Sequence, residues 1–99
     1  MDFTNYLADR LVKATVGDVS YTAPTAVYLG LYTADPTKAG FSSNEVDAAS
    51  YNRQVVKFSA PKDGVATNDS QIDWSTATSN WGNVGWISVM DAPSGGFML

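Results

Sequence analysis

The side chains that could perform chemistry in this sequence are carboxylates, because its 99 residues include no histidine and no cysteine. Their absence excludes a Ser–His–Asp triad, a thiol nucleophile and imidazole or thiolate metal ligands. Two carboxylates alone can hydrolyse a glycosidic bond when they lie roughly 5–10 Å apart. Nothing in the sequence fixes that separation, so we predict that the chain is not an enzyme and has no catalytic residue. The acidic residues considered for this role are Glu45, Asp47, Asp73 and Asp91.

Three acidic residues, Asp35, Glu45 and Asp47, stand in or beside a long loop predicted over residues 36–50. Carboxylate oxygens are the ligands that calcium prefers. The spacing of these three does not match the twelve-residue loop of an EF-hand. We interpret them as structural or solvated carboxylates, and we expect neither a metal ion nor a cofactor.

Aromatic side chains offer a second kind of chemistry, which is stacking against a sugar or a partner ring. Rings of this size more often form the core of a small sheet protein. Both interpretations, core and exposed glycan platform, remain open from the sequence. The residues concerned are Trp74, Trp81, Trp86, Tyr28, Tyr32 and Tyr51.

Composition indicates a folded protein, with 44% hydrophobic, 12% aromatic and 16% charged residues. A disordered chain has far fewer apolar residues. The length is sufficient for one modest hydrophobic core. We therefore predict a single domain over residues 1–99.

The net charge of −4, from ten acidic and six basic residues, limits the kinds of partner that the protein can bind. Nucleic-acid binding and anionic membrane surfaces both depend on clustered Lys and Arg, so we expect neither partner. No apolar run approaches the ~20 residues of a membrane span. The first residues lack the basic and apolar regions of a secretory signal. We expect a soluble protein that is not secreted by that route.

The elements that position these side chains begin with a helix predicted at about residues 4–14. Thr4 or Asp2 can cap its start, and Phe3, Leu7 and Leu11 recur every fourth residue as an amphipathic stripe. Two interpretations are open: the helix packs on the rim of a sheet, or it docks on a neighbouring subunit.

The pattern of residues in the remaining chain, about residues 26–99, predicts five to seven short strands. The clearest are Val27–Thr33, Tyr51–Phe58 and Trp86–Asp91, and Ile72–Trp74 is a shorter one. Apolar residues on both faces of Trp86–Asp91 predict that this strand is covered on both sides. On Tyr51–Phe58, the face with Arg53 and Lys57 is predicted to be the wetter one.

Turn signals between the strands, such as Pro61–Gly64, favour antiparallel hairpins. Regular alternation of strands and helices is absent, so a parallel doubly wound sheet is not expected. We predict a mainly β protein: an antiparallel β-sandwich or partly open barrel with one short N-terminal α-helix.

Six segments, taken in order and spacing, carry a resemblance to a known family. They are Thr4-Asn5-Tyr6-Leu7, Val27 to Pro36, Glu45-Val46, Tyr51-x-Arg53-Gln54, Trp81-Gly82 and Asp91 to Leu99. Together they resemble a family of small bacteriophage virion proteins commonly labelled tail-fibre or minor tail proteins, and the resemblance implies no catalytic residues. Chains of that family usually continue beyond the Gly-Gly-x-Met-Leu segment, whereas this sequence stops there. We therefore expect the β region to continue beyond Leu99 or to be completed by a partner chain.

The resemblance implies a non-enzymatic adaptor or attachment module of a tail fibre or other virion appendage. It would act in the virion, assembled in the host cytoplasm, as a homo-oligomer bound to other virion proteins. The alternatives are a capsid-attached spike or decoration protein and a carbohydrate-binding module that recognises a host surface glycan. An apolar C-terminal edge favours contact with a partner strand. The candidate interface residues are Phe3, Tyr6, Arg10, Phe97, Met98 and Leu99.

Overall fold

The computed structural model describes residues 3–99, which form one helix and an antiparallel sheet. The sheet is a single open one with the strand order β2-β1-β3. This confirms the predicted fold class, a mainly β protein with a short N-terminal helix, in the partly open alternative of that prediction. The elements are α1 (Asn5–Val16), β1 (Val27–Tyr32), β2 (Gln54–Val56) and β3 (Trp86–Met90).

Helix α1 begins where the sequence predicts and continues two residues further. Thr4 is its N-cap, and its Oγ1 accepts a hydrogen bond from the Leu7 N–H at 3.4 Å. The other proposed cap, Asp2, lies outside the described residues. The N–H of Gly17 donates to the Lys13 carbonyl and ends the helix. No residue of the helix is buried, so it packs far less closely on the sheet than a rim helix would.

Strand β1 is the centre of the sheet, and its residues 28–32 are paired on the β3 side. There, Leu31 lies opposite Ile87 and Tyr32 opposite Trp86. On the other side, β2 pairs only with residues 27–29. Residues 44–46 take over beyond β2, since the Val46 N–H donates to Leu31 and the Thr33 N–H donates to Asn44. The long loop therefore supplies the missing part of the ladder.

The predicted number of strands is wrong, because much of residues 57–80 pairs through single bridges or not at all. β2 has three residues instead of eight, and Ile72–Trp74 forms no strand. The turn at Pro61–Gly64 is confirmed: Lys62 pairs with Val65, while Asp63 and Gly64 have φ of 53° and 75°. Those positive values are typical of a type I′ hairpin turn. Its arms pair again only at Phe58 and Asn68, so the pairing stays at isolated bridges and does not become a continuous ladder.

The largest buried cluster lies on the face of the sheet that carries Tyr28 and Tyr32, while Val46 and Val56 are buried on the other face. That cluster is Tyr32, Met90 and Met98, with Tyr28 packed against it. The prediction that strand β3 is covered on both sides is wrong for the first two residues of the strand. Trp86 is 42% and Ile87 52% exposed, because no second layer of the described chain packs over them. Within residues 3–99, no helix has the length and apolarity needed to cross a membrane.

Candidate assembly interface

A buried ion pair fixes the long loop against the sheet. Arg53 Nε lies 2.7 Å from Glu45 Oε2, and Arg53 Nη2 lies 2.7 Å from Glu45 Oε1. The Arg53 side chain is only 5% exposed, so the prediction that Arg53 lies on the more solvent-exposed face of its strand is wrong. The pair lies over Gly30, where an added Cβ would approach Glu45 Oε2 to 3.0 Å. Glycine between two tyrosines therefore makes room for this carboxylate.

Tyr51 completes the ion-pair cluster. Its hydroxyl donates to Glu45 Oε2 at 2.7 Å and accepts from the Leu31 N–H at 3.0 Å. Burial raises the pKa of Glu45, but hydrogen bonds from Arg53 and Tyr51 and the Arg53 charge outweigh it. The pKa of Glu45 therefore falls below its ordinary value of 4.5. Burial also raises the pKa of Tyr51, so its hydroxyl remains a donor at neutral pH.

Arg53 also holds the C-terminal turn in place. Its Nη1 donates to the carbonyls of Ala92 and Gly95, each at 2.8 Å. After that turn the chain returns along β3: the Asp91 N–H donates to Phe97, and the Leu99 N–H donates to the Val89 carbonyl at 2.8 Å. The apolar C-terminal segment thus becomes a short fourth ribbon on the outer edge of β3.

The beginning of helix α1 is attached to the same ribbon. Thr4 is 3% exposed, and its hydroxyl donates to the Met98 carbonyl at 2.6 Å. The Asn5 N–H donates to the Lys38 carbonyl at 2.7 Å. The start of helix α1, the segment of residues 35–38 and the C-terminal ribbon therefore meet at one place.

Three of the six predicted interface residues form an aromatic stack there. The rings of Tyr6 and Phe97 lie parallel with centroids 4.3 Å apart, and the Arg10 guanidinium lies 5.1 Å from the Tyr6 centroid. Phe97 is still 55% exposed.

The other three predicted interface residues differ in their surroundings. Phe3 is largely exposed, and Leu99 is half-buried. Met98 is 7% exposed and belongs to the chain's own core.

A groove of about 530 Å³ runs beside this meeting point. Its lining comes from the beginning of β3 and the preceding glycine, residues 85–88, from residues 35–38, and from Thr4, Met98 and Leu99. The wall at residues 35–38 is held by its own hydrogen bonds, from the Thr37 N–H to Asp35 Oδ1 and from the Phe41 N–H to the Pro36 carbonyl. These hydrogen bonds fix the local backbone of residues 35–38 beside the groove.

The acidic residues considered for catalysis or metal binding have separate roles or none. Glu45 belongs to the ion pair, Asp91 Oδ1 accepts from the Phe97 N–H, and Asp73 Oδ1 accepts from Gln71 Nε2. Asp47 is exposed. Across residues 3–99, no three acidic side chains are grouped as metal ligands.

The aromatic residues divide between core and surface. Tyr32 is fully buried, which fits the core interpretation. The ring of Trp81 packs edge-on against Tyr51 at 5.5 Å, and its Nε1 donates to Ser50 Oγ. Trp86, by contrast, is exposed and lines the groove. The core interpretation therefore holds for Tyr32, whereas the exposure of Trp86 leaves the glycan-platform interpretation a prediction.

Sequence analysis missed two features, the role of Arg53 and the groove. The sequence does offer one indication of the role of Arg53. Glu45 is the only glutamate and Arg53 is one of two arginines. Both residues come after the strand that carries Gly30. No pattern in the sequence predicts the groove, because the residues that line it come from segments about fifty residues apart.

Comparison with known protein families gives a match over nearly the whole chain. Residues 2–99 match the model of a family described as podophage GP4 fiber I protein gp80. No curated protein and no solved structure matches the chain. The match covers nearly the whole sequence and confirms the resemblance to phage tail-fibre proteins. The chain therefore belongs to the family of podophage GP4 fiber I protein gp80, a phage fibre family whose members are structural components of the virion.

Proposed function

We propose that this chain is an adaptor module of the fibre, which joins neighbouring virion protein chains through protein–protein contacts and works as a homo-oligomer. The proposal rests on membership of a phage fibre family and on the surface of the described residues. No catalytic role is part of it.

The observation that carries the proposal is the imbalance between buried and exposed apolar side chains. Among the described residues, the buried hydrophobic ones are Tyr32, Val46, Val56, Met90 and Met98. The exposed ones are more numerous: Phe3, Val12, Val16, Val19, Phe41, Val55, Phe58, Val65, Val84, Trp86, Ile87 and Phe97. So few buried apolar side chains give the chain only a small core of its own, which supports burial of some of the exposed ones against neighbours.

Helix α1 is the part of this surface that most needs a partner. Its outer stripe contains Val12, 59% exposed, and Val16, 80% exposed. A helix of 12 residues is marginal in water unless tertiary packing supports it. In the described chain it is attached chiefly through its first turn, at Thr4, Asn5 and Tyr6. Its outer stripe is therefore suited to contact another chain.

The experiment introduces a charge on that stripe and measures how much of the protein enters purified virions. Val12→Lys places an ammonium group on the outer stripe, whereas Ala14→Lys places one on another exposed part of the same helix. We expect Val12→Lys to reduce incorporation severalfold and Ala14→Lys to leave it unchanged. Equal incorporation of both variants would exclude the helix as an attachment surface. Absence of the wild-type chain from purified virions would refute the adaptor proposal itself.

One observation favours the carbohydrate-binding alternative, which is the exposed indole of Trp86 in a groove wall. Aromatic faces are common stacking surfaces for partly apolar ligands. A glycan array with the wild-type protein and Trp86→Ala separates the two proposals. Binding of a specific glycan that is lost in the folded variant would favour receptor recognition over attachment.

A further inference from the structure

The outer edge of strand β2 has free backbone groups at Val55. On β1, Leu31 directs its N–H and C=O to the β2 side. Because backbone groups alternate along a strand, Leu29 points the same way and pairs with Gln54. Val55, the next residue of β2, therefore points outward. In the part of the chain that the structure describes, no backbone group pairs with its N–H or C=O.

The hairpin that follows β2 sets a register for this edge. The Asp69 N–H donates to the Lys57 carbonyl at 2.9 Å, beside the bridge between the arms of the hairpin. Two residues further along each antiparallel arm, the same register places Gln71 opposite Val55 as a hydrogen-bonded pair. The outward direction of Val55, obtained independently from β1, is the one that this pair requires.

The two segments nevertheless stay apart. A second groove, of about 310 Å³, is lined by residues 54, 55 and 57 on one segment and residues 70–73 on the other. A local hydrogen bond holds the second segment in a bend, because Asn68 Nδ2 donates to the Ser70 carbonyl at 2.8 Å. Bonds of this kind compete with strand pairing.

The bent segment is strand-like in sequence and is not fully satisfied in its present position. Ile72 and Trp74 alternate with polar residues, which is the pattern of a strand. Trp74 Nε1 is buried and has no hydrogen-bond partner in the described chain. A buried donor without an acceptor is costly, so a second arrangement of this segment can compete with the bend.

We propose that residues 70–73 are a strap that closes onto β2 as a fourth strand, so that the open groove and a four-stranded sheet are two states of this chain. In the closed state, Val55 and Gln71 exchange two backbone hydrogen bonds. Ile72 then lies opposite Gln54, on the sheet face where Val56 is buried. The strap is the occupant of this edge because the Asp69–Lys57 bond already holds its beginning in register. Closure protects an open sheet edge from pairing with other chains.

The test is disulfide formation in the purified chain, which has no cysteine of its own. In the closed state the Cα atoms of Val55 and Gln71 lie about 5.5 Å apart, which suits a disulfide. The control for Val55→Cys/Gln71→Cys is Val55→Cys/Ser70→Cys. All three positions are exposed and line the groove, but the side chain of Ser70 would lie on the opposite face of the closed sheet. We expect the first pair to oxidise about tenfold faster, because only that pair reaches disulfide geometry.

A further variant tests the bend that keeps the strap open. Asn68→Thr removes the amide that holds the Ser70 carbonyl and introduces a residue that favours strands. We expect it to make the Val55→Cys/Gln71→Cys pair oxidise severalfold faster. Asn83→Thr, at another exposed asparagine, should leave the rate unchanged.

Hydrogen exchange then verifies that the bridged protein has the proposed register. After oxidation of Val55→Cys/Gln71→Cys, the Gln71 N–H is bonded to Val55, whereas the Ser70 N–H points away from β2. We expect exchange at Gln71 to become about tenfold slower on oxidation and exchange at Ser70 to stay unchanged. Circular dichroism of the reduced variants verifies that each one folds like the wild type.

Equal oxidation rates of the two cysteine pairs would overturn the inference. So would a rate that Asn68→Thr does not change, or an oxidised protein in which the Gln71 amide stays unprotected. These results would leave the adaptor proposal standing, because the strap and helix α1 are separate parts of the chain.

Discussion

Arg53 and Glu45 form a two-point ion pair, with Nε–Oε2 and Nη2–Oε1 distances of 2.7 Å. The same guanidinium holds the carbonyls of Ala92 and Gly95. One side chain thus connects the long loop, strand β2 and the turn that directs residues 97–99 onto β3. The position of the C-terminal ribbon, and of the groove beside it, depends on this pair.

Loss of Arg53 should therefore destabilise the fold strongly. Arg53→Ala leaves the Glu45 carboxylate nearly buried without its cation, and removal of one partner of a buried pair costs about 3–5 kcal/mol. Urea denaturation followed by tryptophan fluorescence measures this change. Lys13→Ala is the control, because Lys13 and Asp9 are 51% and 59% exposed and such pairs contribute at most ~1 kcal/mol. Similar losses from both variants would contradict the role of Arg53.

Stability should fall in acid because the pKa of Glu45 is lowered in the folded state. A lowered folded pKa means that the stabilisation is complete above the unfolded value, near 4.5, and is lost as pH falls through the folded value. Urea midpoints measured from pH 7 down to pH 3 should therefore decrease below about pH 4.5. Glu45→Gln should be less stable at pH 7 and show a weaker decrease. An unchanged acid profile in that variant would assign the effect to other carboxylates.

Gly30 should not tolerate even a methyl group. An added Cβ would lie 3.0 Å from Glu45 Oε2 and 3.1 Å from Ser88 Oγ, both in a packed region. Gly30→Ala is expected to cost about 1–3 kcal/mol, the usual range for overpacking. Gly85→Ala is the matched control, because no heavy atom lies within 4 Å of its added Cβ. Thermal unfolding of the two variants gives the comparison, and equal melting temperatures would contradict the close contact.

Thr4 should matter more than an exposed helical threonine. Thr4→Val keeps the shape but removes the N-cap and the hydrogen bond to Met98, and loss of such a cap costs about 0.5–2 kcal/mol. Thr15→Val removes only an exposed hydrogen bond to Leu11 and should change stability little. Thermal unfolding followed by circular dichroism near 222 nm compares the two. An equal effect of both changes would show that the start of helix α1 and the C-terminal ribbon are not coupled.

Local signals in the sequence were sufficient for the helix, β1 and the Asp63-Gly64 turn. Each depends on neighbouring residues: a cap at Thr4, alternation along Val27–Tyr32, and glycine at a positive φ of 75°. The antiparallel class followed from the same turn chemistry.

Other features depended on distant residues and could not be read locally. The shortness of β2 follows from residues 44–46 taking its place beside β1. Ile72–Trp74 alternates like a strand but joins no ladder in the described chain. The burial of Arg53 requires Glu45, Ala92 and Gly95 to converge, which only the folded chain brings about.

A cryo-electron microscopy map of the intact virion, with residues 3–99 fitted into the fibre density, tests the adaptor proposal most directly. We predict that Val12, Val16 and Phe97 are covered there by neighbouring chains. A map in which the chain is present and these three side chains all face solvent would contradict the proposal.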